Sequence, residues 1–211
     1  HLLKRHDLKA FFQAPYIKIT THKKLHKKDP YNTFDRIMDI SEKHNLISAF
    51  YFICGHTSEY DGDYEIEDPI MQELLQRIHS RGHEIGLHPS YGTFQTPELI
   101  KNEAERLRAA CKMAGTEQKS YGGRMHYLRW EHPTTLQAWE DAGMHYDTTL
   151  SYADRPGFRC GSCFEYPAFN PVTQELLNIR IRPLIAMECT IIAERYMNLG
   201  YSEAALSKFI E

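Results

Sequence analysis

Two imidazoles and a carboxylate, His88, His126 and Asp147, stand in the sequence where a borderline divalent ion could find ligands. His88 ends the apolar run Glu84-Ile85-Gly86-Leu87 and is followed by Pro89-Ser90-Tyr91. In Arg124-Met125-His126 the two polar residues flank one position, so an extended chain points both to the same side. The guanidinium there is suited to hold a carboxylate in a two-pronged grip, and the imidazole to bind an ion. Tyr91, Tyr127, Arg129 and Trp130 are the candidates for a substrate-lining wall, although aromatic rings serve packing equally well. A lone His is ordinarily a cap or a packing group. His88 stands apart because it directly follows an apolar strand.

These residues need elements to position them, and the hydrophobic pattern supplies strands alternating with helices from residue 33 to residue 150. Phe34, Ile37, Met38 and Ser41 share one helical face, and 47–53 reads as a buried strand. Asp68-Pro69 opens a helix that Gly82 stops, and 84–88 is a short strand. Pro97 opens a helix with the stripe Leu99, Ile100, Leu107, Ala110, Cys111 and Ala114. A strand near 118–122, a helix over 133–143 and a strand over 144–150 follow. Strands over 163–169 and 177–185 and helices over 190–199 and 202–211 complete the expectation. Residues 1–31 read as an irregular basic segment. Such a succession implies an α/β fold with parallel strands, either a barrel or a doubly wound sheet. In a barrel, His56, His88, Arg124, His126 and Asp147 would collect at the rim where strands end.

Composition narrows the function. The chain has 211 residues, 42% of them hydrophobic and 25% charged, with a net charge of -3. No basic excess favours nucleic acid or anionic lipid, and no apolar run is long enough to span a membrane. Twelve His make a metal site worth seeking. The five Cys are odd in number and argue for a reducing, cytoplasmic compartment. Cys160-Gly161-Ser162-Cys163 has C-x-x-C spacing, but no second pair and no strand-to-helix context accompany it, so a structural loop is expected there.

Gly82-His83-Glu84-Ile85-Gly86-Leu87-His88 resembles the second motif of the NodB-homology polysaccharide deacetylases, carbohydrate esterase family four. There a strand of this wording ends in a metal-binding His. Tyr60-Asp61-Gly62-Asp63-Tyr64, Arg124-Met125-His126-Tyr127-Leu128-Arg129, Tyr146-Asp147-Thr148-Thr149-Leu150 and Gly157-Phe158-Arg159-Cys160-Gly161 resemble, in the same order, a bacterial branch of that superfamily. The resemblance implies one domain over 1–211 folded as a distorted, incomplete (β/α) barrel. It also implies a divalent ion, zinc, and a carbohydrate substrate that loses an acetyl group from nitrogen. Arg124 matches the residue that orients the catalytic base, and Asp147 falls near the fourth motif with a similar orienting role.

The departures are informative. The family's first motif, two Asp on a barrel strand, has no counterpart before residue 47. His6-Asp7 lies in a helix-like run, and Thr33-Phe34-Asp35 begins a helix. The late Leu-x-His motif is absent before Glu211, so the chain is expected to be truncated at both ends. In most members the second metal His lies four residues after the first. That position here is Gly92, and His126 is the expected replacement. Three readings follow: an active deacetylase of a cell-surface polysaccharide or its precursor, a degenerate barrel that binds carbohydrate or a protein partner, and another barrel metallohydrolase acting on small amides.

Overall fold

The computed structural model describes residues 29, 31–200, 202 and 203. The segment 1–31 apart from Asp29 and Tyr31, the pair His6-Asp7, and all but the first two positions of the helix expected over 202–211 lie outside the described residues. The chain divides into two compact units. One comprises the residues up to Phe50 with Tyr64–Ile85 and Ala110–Glu117, and the other Tyr51–Asp63, Gly86–Ala109 and the residues from Gln118 onward.

In the first unit, α2 (Pro69–Ser80) carries the apolar stripe read from the sequence, whereas on α1 (Phe34–Lys43) only Met38 of the expected face is buried and Ile37 is exposed. Met71, Leu74, Leu75 and Ile78 recur at helical spacing on α2 and are buried with Met38 of α1. Each such side chain contributes about 1.5–3 kcal/mol when fully withdrawn from water. Pro69 occupies the first turn of α2, where its missing N–H costs nothing. Gly82 stops that helix at φ 77, a conformation a side chain disfavours.

The strands are β1 (Ala49–Phe52), β2 (Glu84–Leu87), β3 (Gly122–Gly123), β4 (Tyr146–Asp147), β5 (Tyr166–Asn170) and β6 (Glu175–Ile181). They form one sheet in the order β1-β2-β3-β4-β6-β5. Glu84 N–H bonds Ser48 O and His88 N–H bonds Phe52 O, so the two chains advance together and β1 and β2 are parallel. β2, β3, β4 and β6 continue parallel, and β5 is antiparallel to β6. The order of β1 to β4 follows the sequence without the reversal that marks a doubly wound sheet. In the second unit, Leu87, Ile100, Leu107, Met125, Trp139, Ile179 and Ile181 are buried to within 1%. They come from the strands and from α3 (Pro97–Met113) and α4 (Thr134–Asp141).

Several expected elements differ in extent; the strands expected over 163–169 and 177–185 are Tyr166–Asn170 and Glu175–Ile181. The strand expected near 118–122 is only Gly122–Gly123, because the N–H groups of Gln118 and Tyr121 go to side chains, Tyr121 Oη and His145 Nδ1, rather than to a ladder. The strand expected over 144–150 is Tyr146–Asp147. Thr148 N–H and hydroxyl both still bond Gly123 O, after which the Thr149 hydroxyl turns back to Asp147. The helix expected over 190–199 is α5 (Glu188–Ile192). Met197 and Leu199 fold back and donate their N–H groups to Thr190 O and Ile191 O, the carbonyls a continuing helix would offer to Glu194 and Arg195.

β3 consists of glycine because its neighbours leave no room. A Cβ on Gly123 would collide with the Leu87 carbonyl, and one on Gly122 with the Tyr146 ring. Gly123→Ala is expected to destabilise the protein by about 2–3 kcal/mol, the scale of overpacking a core. Urea unfolding checks this, and a wild-type midpoint would show that β2 and β3 separate at no cost.

Candidate functional site

The site lies within the second unit, where β2 and β3 end. His88 is placed by the ladder itself, its N–H bonded to Phe52 O at 2.8 Å. Its Nδ1 lies 2.6 Å from the Arg124 carbonyl, which can only accept, so Nδ1 carries the proton and Nε2 keeps its lone pair. Burial, with the neighbouring His126 adding to it, pushes His88 down to about 4. The ring is therefore neutral at pH 7, the form that binds metal.

His126 opens the short turn His126–Leu128. Its Nδ1 lies 3.1 Å from Asp61 Oδ1, an acceptor again, so Nδ1 carries a proton and Nε2 is the ring nitrogen not engaged by Asp61. The two imidazole rings are in contact, with centroids 4.8 Å apart. Tyr127 and Leu128 both adopt positive φ, 55° and 54°, unusual for side-chain-bearing residues and characteristic of constrained sites. The turn is anchored on either side of His126: Met125 is buried, and Arg129 Nη1 donates to Tyr91 O at 2.6 Å.

Asp61 is the residue the sequence reasoning missed. Its carboxylate is wholly shielded from solvent. Oδ2 accepts the N–H groups of Thr57 and Ser58, each at 2.8 Å, and Oδ1 accepts that of Tyr91 at 2.7 Å besides His126. Burial alone would raise its pKa. The donated N–H groups of Tyr91, Thr57 and Ser58, with His126, outweigh it and hold the carboxyl below its ordinary value. Two signals pointed to it: the stretch Tyr60-Asp61-Gly62-Asp63-Tyr64 belongs to the resemblance, and an aspartate shortly after Thr57-Ser58 has the look of a loop-closing side chain.

Gly92, where most family members carry their second His, has its N–H bonded to Thr57 Oγ1 at 2.7 Å. A Cβ there would sit 3.1 Å from the Thr57 side chain, so the loop that carries Asp61 fills the space. Among the described residues, no three His, Cys, Asp or Glu side chains are grouped to hold a metal ion. His56 is exposed on the same loop.

Arg124 turns its Nε to Thr148, bonding the carbonyl at 3.2 Å and Oγ1 at 3.1 Å. Asp147 is fully buried. It accepts the Thr149 hydroxyl at 2.6 Å, and Thr149 Oγ1 in turn accepts Met125 N–H at 3.0 Å. Asp147 thus braces the backbone between Arg124 and His126 through one intermediary. Burial raises its carboxyl to about 6, against the Thr149 bonds and the Arg124 charge, which lower it. The unfolded chain then loses this proton at lower pH than the folded one. The low-pH stability it contributes should fade as pH rises from about 4 to about 6, by about 3 kcal/mol in total. Urea unfolding at pH 4, 5, 6 and 7 should show that decline in the wild type and a flatter profile in Asp147→Asn. Identical profiles would assign the decline to other groups.

The aromatic candidates gather unequally. Tyr60, Tyr91 and Tyr127 form a mutual cluster with centroid separations of 4.9, 5.5 and 5.7 Å, and Tyr91 and Tyr127 both contact the His126 ring. Tyr60, unassigned from sequence, and Tyr127 are the exposed members. Arg129 lies between the rings of Tyr91 and Phe94, about 4.0 and 3.9 Å from their centroids, so it pins the cluster. Trp130 stacks on His132 at 5.3 Å instead. Cys160 and Cys163 carry free thiols in the irregular loop before β5. Among the described residues no helix is long and apolar enough to cross a membrane.

A comparison with curated proteins found no match. The family model for polysaccharide deacetylase matches residues 23–146, which contain His88, His126 and the Asp61 loop and make up more than half of the chain. The chain therefore belongs to the polysaccharide deacetylase family.

Proposed function

We propose that this chain forms a metal-dependent deacetylase domain that hydrolyses the N-acetyl groups of a cell-surface polysaccharide or its precursor. One observation carries the reading: two neighbouring imidazoles, each with Nδ1 committed to an acceptor, which leaves Nε2 as the nitrogen of each ring available to an ion. A second-layer acceptor behind the outer nitrogen is the usual support of a metal-binding His. The donor set suits zinc, with His88 and His126 as two ligands and an Asp from outside the described residues as the third. When bound, the ion would make water a nucleophile near neutral pH and polarise the acetyl carbonyl.

This chain's residues then have separate tasks. His88 and His126 hold their rings in fixed tautomers, through Arg124 O and Asp61. Arg124 has its Nε tied to Thr148 and orients the carboxylate that serves as base. Asp147 keeps the Arg124–His126 backbone in place. Tyr91 and Tyr127, joined by Tyr60, offer ring faces to a sugar, with Arg129 pinning Tyr91 and Trp130 bordering the turn. We read 1–211 as one domain, because the family match runs unbroken through segments of both units. The strand order fits an incomplete (β/α) barrel.

The test is acetate release by the intact protein from N-acetylated glycans and from small amides, before and after chelation. Glycan deacetylation should disappear on chelation and return with Zn²⁺. Preference for small amides would favour another barrel metallohydrolase. Carbohydrate binding without acetate release or metal uptake would favour a degenerate barrel.

A further inference from the structure

Glu103 interrupts the apolar face of α3. It lies between Ile100 and Leu107 at helical spacing, where the neighbouring residues are core, and it is itself only 6% exposed. A buried carboxylate at such a position costs stability unless it is fully engaged. Both of its oxygens go to one residue. Oε2 accepts Ser90 N–H at 2.9 Å, and Oε1 accepts the Ser90 hydroxyl in a short hydrogen bond. The chain makes room for it at Gly55, where any Cβ would collide with the Glu103 carboxylate. Arg106, one turn further along α3, donates to the Cys54 carbonyl at 2.9 Å and fixes the adjoining loop. Burial pushes the Glu103 carboxyl up, and the Ser90 bonds and the Arg106 charge draw it back.

Ser90 is two residues beyond His88 and immediately precedes the turn Tyr91–Gln95. Its carbonyl accepts the Thr93 hydroxyl at 2.8 Å, so the residue is held at both ends. The next N–H, that of Tyr91, goes to Asp61. Two consecutive backbone N–H groups of the His88 loop thus end on two separate buried carboxylates.

We propose that Glu103 is a positioning residue for the candidate site: by gripping Ser90 through both oxygens it fixes the His88–Tyr91 loop, and with it the His88 ring against Arg124. A helix residue 15 positions away in sequence thereby sets the orientation of His88 without touching it. Glu103→Gln should largely preserve this, since an amide can accept from Ser90 N–H and donate to the hydroxyl. Glu103→Ala leaves both Ser90 groups without their acceptor.

The readout is hydrogen exchange and imidazole nitrogen spectra of the intact, metal-free protein. Glu103→Ala should speed exchange of the His88 Nδ1 proton and the Tyr91 amide by at least about tenfold while the Ile85 amide keeps its rate. Glu103→Gln should hold both within about threefold of wild type. Equal acceleration at Ile85, or no change at the His88 ring, would overturn the proposal by showing a general stabilising role or none. Should Glu103→Ala not fold, Ser90→Ala removes one of the two bonds and should speed the same two protons at least about threefold. Unchanged rates there would also overturn it. A second arm, zinc affinity, rests on the metal-site reading, and Glu103→Ala should weaken it at least about tenfold. A wild-type protein that binds no zinc but shows the selective exchange pattern in the variant would refute the metal site and retain the role of Glu103.

Discussion

His88→Ala is expected to abolish divalent-metal binding by the intact protein, and His126→Ala to weaken it at least about tenfold. The asymmetry follows from how each ring is held. His88 leaves the end of a strand, with its N–H in the sheet ladder and its Nδ1 on a backbone carbonyl, so its Nε2 has little freedom. His126 sits on a turn whose next two residues adopt positive φ, and its orientation depends on a side chain. Both rings contact each other, so neither substitution opens a distant void. Zinc titration of the metal-free variants is the measurement. If His126→Ala binds zinc as the wild type does while His88→Ala binds none, the two-imidazole assignment is wrong and another ligand, such as His56, must be sought.

The second large effect is expected at Asp61. Truncation to Ala would leave the N–H groups of Thr57, Ser58 and Tyr91 and the His126 ring proton without their buried acceptor. Thr57 is exposed and the other donors are half-buried, so water can replace part of what is lost and the cost is about 1–3 kcal/mol. Zinc affinity should fall by about 10–100-fold as well, because His126 loses its support. Asp61→Asn should lie between the two, since its amide must turn a donor toward one set of N–H groups. The pH profile has the opposite sense to that of Asp147. The Asp61 carboxyl is lowered from its ordinary 3.8, so its contribution is present above that pH and is lost on acidification through the folded value. Urea unfolding and zinc titration of Asp61→Ala should both change. A variant with wild-type midpoint and affinity would reduce Asp61 to an incidental loop residue.

These two sites differ in how far they could be read in advance. His88 was legible because a strand pattern, a rim rule and a motif coincide on one residue. His126 was legible by position, two residues after Arg124 and beyond the next strand. Asp61 was visible only as part of a resembling stretch and its role was not, since its two site partners lie 30 and 65 positions away and a loop has no periodicity to betray where it folds. Asp147 was found, but its action through Thr149 depends on a hydroxyl contact that no spacing encodes. Arg129 and Trp130 were identified as substrate-lining residues, yet one is sandwiched between rings and the other stacks on His132, outcomes of packing. The first four helices were placed closely because Pro starts, Gly stops and apolar stripes are local, whereas the one expected over 190–199 ends at Ile192 where the chain folds back. The strands β3 and β4 shrank because ladder length is decided by neighbours.

The fixed tautomer of His88 has a consequence for how the protein would exchange protons with its surroundings. A ring that stays neutral down to about 4 gives up no proton when an ion arrives at neutral pH. Calorimetric heats of zinc uptake near pH 7 should then carry no buffer-dependent ionisation term from His88. That residue would stay ready to accept an ion in mildly acidic surroundings, where an ordinary imidazole would already be competing with hydronium.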